Sequence, residues 1–113
     1  MAKRADAHIH LFERGYQGDS FARRPGVSLD EAALYESFMA DHGIEAALVV
    51  GYEGQPWCSN NNDFLAQMKS EGPWIRPTAF INMEKPPATA QLEAWAEQGF
   101  AAISRHLSLY FRI

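Results

Sequence analysis

The feature that most constrains this chain is an alternation of two periodicities. Short apolar runs are separated by stretches whose apolar residues recur three and four positions apart. Ala46-Ala47-Leu48-Val49-Val50 is an unbroken apolar run ending at Gly51, which suits a strand buried on both faces of a parallel sheet. Ala5 to Phe12, Thr78 to Asn82 and Ala101 to Leu107 read as three further strands. Between the first and second, Ser28-Leu29-Asp30-Glu31 fits a capping box. Leu34 with Phe38 and Tyr35 with Met39 then form an apolar stripe, and Gly43 supplies a stop, so a helix is expected from Leu29 to His42. A second helix is capped from Asn60-Asn61-Asn62, carries Phe64, Leu65 and Met68, and ends at Gly72-Pro73. A third follows the break at Pro86-Pro87, buries Leu92, Trp95 and Ala96, and stops at Gly99.

Strands and helices in strict alternation, joined by short connections, dictate parallel right-handed crossovers and exclude a meander or sandwich. The expected class is α/β, a partial (β/α) barrel of about four parallel strands alternating with three helices. Eight such units need about 250 residues. Residues 1–113 are therefore read as the N-terminal half of one barrel domain.

Composition removes several classes of partner. The formal charge is −4, and the ten Lys and Arg residues are scattered without a stripe that would neutralise a run of phosphates, so no nucleic acid is expected. Asp6, His8 and His10 interrupt what would have to be the apolar core of a signal peptide after Lys3 and Arg4. No apolar run approaches the roughly 20 residues that span a bilayer, so no membrane is expected either. Cys58 stands alone, which forbids an intrachain disulfide, and the cytoplasm is the default location.

The chemistry is concentrated in the first strand. Asp6, His8 and His10 alternate with Ala7, Ile9 and Leu11, which predicts one face of ligands and one of oil. Two imidazoles on one face can converge on a single metal ion, and Asp6 is placed to accept from a histidine ring and so fix its tautomer. The pair lies where the first strand gives way to the loop from Glu13 to Val27, and barrel active sites are built at that end.

Asp6-Ala7-His8-Ile9-His10-Leu11-Phe12 resembles the Asp-x-His-x-His opening of amidohydrolase-related proteins, metal-dependent TIM-barrel hydrolases that include lactonases and decarboxylases. Gly43 to Val50 and Gln98 to Ile103 extend the likeness over nearly the whole chain. The resemblance implies that His8 and His10 ligate a divalent ion, zinc or manganese, and that the substrate is a small molecule hydrolysed at a lactone or amide. In such enzymes the remaining ligands and a catalytic aspartate come from later strands, which these 113 residues do not include. Two histidines are fewer than the three protein ligands usual for catalytic zinc. The alternatives are a metal-dependent decarboxylase of the same superfamily, a catalytically inactive truncated fragment, and a homodimer that closes the half-barrel.

Three further residues are candidates for the substrate pocket. Trp57 lies in the loop after the second strand and would form an aromatic wall. Arg105 would clamp a substrate anion, but similar proteins place the arginine one residue earlier, and a one-residue shift changes its face. His106 would then share the face of Ser104. Arg14, Arg23 and Arg24 are candidates for attracting an anion, whereas His42 reads as a favourable cation at a helix C-terminus. Asn82 and Glu84 carry no motif, and nothing marks Cys58 as an activated thiolate.

Overall fold

The computed structural model describes residues 3–18 and 28–105. Four strands alternate with three helices: β1 (Arg4–Ile9), α1 (Glu31–His42), β2 (Ile44–Val50), α2 (Asn61–Glu71), β3 (Ile75–Ile81), α3 (Thr89–Glu97) and β4 (Ala102–Arg105). A short 3-10 turn at Pro56–Cys58 precedes α2. The strands pair in the order β1-β2-β3-β4, all parallel, and form the curled half of a (β/α) barrel. Among the described residues no helix is long and apolar enough to cross a membrane.

The core lies between the sheet and its helices. Ala47 and Val49 of β2 and Ile75 of β3 are buried with Leu11, Ala32 of α1 and Leu65 of α2. Removing a leucine side chain such as that of Leu65 from water contributes about 1.5–3 kcal/mol. The opposite, concave face carries the alternate positions, among them half-buried Val50 and buried Thr78, whose hydroxyl has no hydrogen-bond partner among the described residues.

Some boundaries depart from the sequence reading for identifiable reasons. β3 begins at Ile75 instead of Thr78, so Pro77 sits inside a strand that is paired on both sides. The Pro77 carbonyl accepts from Ala101 N–H at 2.8 Å, just before β4 begins. Because both polar groups of a residue in a parallel strand address the same neighbour, its missing donor falls below the start of β4 and no ladder bond is lost. α1 begins at Glu31, because Asp30, and not Ser28, caps it by accepting from Ala33 N–H at 3.0 Å. Gly43 ends α1 as expected, in the left-handed conformation at φ 67° that favours glycine.

The apolar stripe of α1 is rotated from its expected position. Ala32 and Met39 are the residues that become buried, with Tyr35 packed beside them, whereas Leu34 and Phe38 remain exposed. β1 also breaks the simple alternation. Asp6 pairs with Ala47 and Ile9 with Val49, so three steps along β1 match two along β2. Such a bulge carries Asp6 onto the same side as Ile9, the side facing α1, and separates it from the face expected for the histidines.

Candidate functional site

His8 and His10 are brought together at the C-terminal end of β1. Their Nε2 atoms lie 3.2 Å apart, with the rings inclined at 75°. Two nitrogens about 2.0–2.1 Å from one tetrahedral ion would be separated by roughly 3.3 Å, a distance also typical of a hydrogen bond between two rings. His10 Nδ1 lies 2.7 Å from the Val50 carbonyl. A carbonyl only accepts, so Nδ1–H donates, and the Nε2 lone pair of neutral His10 is directed at His8. In the pair itself His8 Nε2–H then donates to His10 Nε2.

The group that orients His10 is therefore the Val50 carbonyl, at the end of the neighbouring strand, in the role that the sequence suggested for Asp6. Asp6 instead accepts from the Tyr35 hydroxyl at 2.7 Å and from the backbone N–H of His8 at 3.3 Å. The Tyr35 bond first, and then the His8 amide, hold the Asp6 carboxyl below the usual carboxylate range. Desolvation, aided by the neighbouring carboxylate, pushes the Tyr35 phenol up to about 12. The two groups fasten β1 to α1 as a neutral phenol on an ionised carboxylate, and Asp6 acts on His8 through its backbone.

Three consecutive asparagines lock the strand ends around this pair. Asn60 donates to the Glu13 carboxylate at 3.0 Å. Buried Asn61 donates to the Leu11 carbonyl at 2.8 Å and accepts from Tyr52 N–H at 2.9 Å, so one side chain grips the residues just after His10 and just after Gly51. Asn62 imitates a strand, donating to the Phe80 carbonyl and accepting from Phe80 N–H, both at 2.8 Å. Gly51 is required here, because a Cβ would lie 2.7 Å from Asn62 Oδ1 and 2.8 Å from the Thr78 carbonyl. The backbone N–H of Asn62 donates to Glu53 at 2.9 Å. Burial, only partly offset by that bond, raises the carboxyl of Glu53.

The loop between β1 and α1 is anchored by a carboxylate. Glu31, expected in a capping box, accepts from Phe12 N–H at 2.8 Å and from Tyr16 N–H at 3.0 Å. This places an aromatic cluster next to the histidines. The Phe12 ring stacks beside His10 at 6.1 Å, and Trp57 meets Phe12 and Tyr16 edge-on at 4.9 and 5.1 Å. Trp57 is thus joined to the histidine pair through Phe12.

The other candidates fall elsewhere. Arg105 takes the register position beside Ile81, and Ser104 the position beside Phe80. His106, Arg23 and Arg24 lie outside the described residues. Arg14 donates to Ser28 at 3.2 Å, while Asn82 accepts from Glu84 N–H in a local turn. His42 lies against Phe38 with 4.2 Å between ring centres and the rings tilted by 38°. Cys58 is buried, and burial raises its thiol, which suppresses the nucleophilic thiolate.

Sequence reading missed Asn61, Asn62 and Val50. The run of three asparagines was the available signal, and it was absorbed by the expectation of an N-cap; Asn60 occupies that cap position but makes no side-chain cap bond. Among the described residues no group of three or more His, Cys, Asp or Glu is arranged to hold a metal ion. No protein-family model matches the chain, and no curated protein or solved structure matches it significantly.

Proposed function

We propose that this chain supplies the metal-binding rim of a cytoplasmic, metal-dependent hydrolase of the amidohydrolase-related type, acting on a lactone or amide of a small molecule. The observation that supports this reading is the 3.2 Å approach of His8 Nε2 and His10 Nε2, with the far side of His10 committed to Val50. Both imidazoles suit zinc or manganese, and a divalent ion held there supplies Lewis acidity toward a carbonyl or a water of lowered pKa. The residues of this chain have separable tasks: His8 and His10 hold the ion, the Val50 carbonyl fixes the His10 tautomer, and Phe12 with Trp57 walls the adjoining space. The same arrangement would serve a decarboxylase.

The test is metal content after equilibrium dialysis against zinc or manganese. One ion per histidine pair is expected, with affinity falling at least tenfold in His8→Ala and His10→Ala while the circular dichroism is unchanged. A wild-type chain that retains no metal overturns the reading. A second reading, in which the pair binds metal without turnover, is favoured by the lack of a third ligand among the described residues. A metal-loaded chain that hydrolyses none of a panel of simple lactones and amides would establish it.

A further inference from the structure

The two open edges of the curled sheet carry complementary apolar surface. At one edge β1 has no strand on its outer side among the described residues. Beside it α1 presents Leu34, 60% exposed, and Phe38, 45% exposed, over a groove that Ile9 and Leu11 also line. At the other edge Ile103 of β4 is 50% exposed. It pairs in register with buried Ala79, which places it on the face that elsewhere lies under helices. Among the described residues, one edge thus has apolar helix surface that no strand underlies, and the other has an apolar residue that no helix covers.

We propose that a second copy of this chain fits both edges, with β4 of each copy pairing alongside β1 of the other to close an eight-stranded parallel barrel about a two-fold axis. Parallel strands dictate this choice of edges. A two-fold axis that set β1 against β1, or β4 against β4, would produce antiparallel pairs and send the two histidine rims to opposite ends. Pairing β4 with β1 preserves the parallel order through both copies. In a barrel of eight, each strand turns about one eighth of the circle, so four turn about half of it, and the contact closes after two copies instead of propagating as a fibre. Each seam sets Ile103 of one copy beneath Leu34 and Phe38 of the other, and both unpaired edges disappear.

The closure also bears on the site. All eight strands end at one rim, so the His8–His10 pair of each copy opens onto the same mouth. That brings four imidazoles to a rim where the described residues of a single copy offer two, against the three ligands usual for catalytic zinc. This consequence rests on the metal-binding reading above; the pairing of the edges does not.

The experiment is sedimentation equilibrium of the 113-residue chain at tens of micromolar, with a chelator present so that failure of the metal site cannot alter the result. A dimer is expected. Leu34→Glu and Ile103→Lys change side chains that are at least half exposed in the single chain. Each should leave the circular dichroism intact and weaken dimerisation by roughly 100-fold, since a charge would be buried in each seam. An equimolar mixture of the two variants should recover a dimer, because one of its seams is native and the other sets the introduced carboxylate against the introduced ammonium. A monomeric wild type overturns the proposal and leaves the edges to further strands of a longer chain. A dimer indifferent to both substitutions, or variants that do not recover on mixing, overturns it as well.

Discussion

α2 and α3 are of similar length and lie on the same curled sheet, yet they are attached by different means. α2 buries Leu65 completely and sends Asn61 and Asn62 from its first turn into the ends of β1, β2 and β3. α3 buries none of its residues, and its N-cap, Ala88, makes no side-chain bond. The helix beside the histidines is therefore fixed by both packing and directional bonds, whereas α3 is held mainly by partly buried side chains such as Trp95. A site that needs two imidazoles 3.2 Å apart requires rigidity where α2 provides it, and tolerates the lighter attachment of α3.

The most severe way to break this contrast is to remove packing from α2. Leu65→Ala should cost about 3–4 kcal/mol, because the side chain is wholly enclosed and its cavity has little room to collapse. Trp95→Ala in α3 removes a larger group but should cost only about 1–2 kcal/mol, since Trp95 is partly buried and not enclosed as Leu65 is. Urea denaturation midpoints of the two variants decide the matter: equal losses would mean that α3 is as firmly built in as α2.

Removing the directional bonds should have the next largest effect. Asn62→Asp preserves the shape of the side chain, so no cavity forms. It replaces the amide that donates to the Phe80 carbonyl with a carboxylate oxygen, beside the Glu53 carboxylate. The expected cost is about 2–3 kcal/mol, from one orphaned carbonyl and a new repulsion in a partly buried place. Amide exchange should report faster opening at Gly51 and Phe80 than at Gln98, because the lesion is local to the clamp. Uniform acceleration across the chain would show that Asn62 supports the whole fold and not the strand ends alone.

The sequence disclosed the order of elements because periodicity is a property of many residues at once. Ala46 to Val50 and the Leu65 stripe survive an error at any one position. It also disclosed the histidine pair, since a two-residue spacing in a strand sets two side chains on one face. Asp6 was misplaced because alternation assumes a regular strand, and the shift between Asp6 and Ile9 is a matter of pairing with β2 that nothing within β1 announces. Leu34 and Phe38 were misplaced for a related reason: an i,i+4 pair defines a stripe but not whether the sheet reaches under it. The functions of Asn61 and Glu31 were hidden because a polar residue at a helix start has a strong local explanation, capping, which conceals partners up to 50 residues away.

The smallest test works from the weaker side. Ala88 already has the extended backbone of an N-cap, with φ −67° and ψ 156°, but offers no side-chain acceptor to the first turn of α3. Ala88→Asp supplies one without altering the chain path, and adds a negative charge at the positive end of the helix dipole. It should stabilise α3 by about 0.5–1 kcal/mol. If α3 opens independently of α2, amide exchange at Gln98 and Gly99 should slow about two- to fivefold while Gly51 and Phe80 are unchanged. Equal slowing at both places would mean that α3 and the clamped strand ends open together, and that the difference between the two helices lies in how they are attached but not in how they unfold.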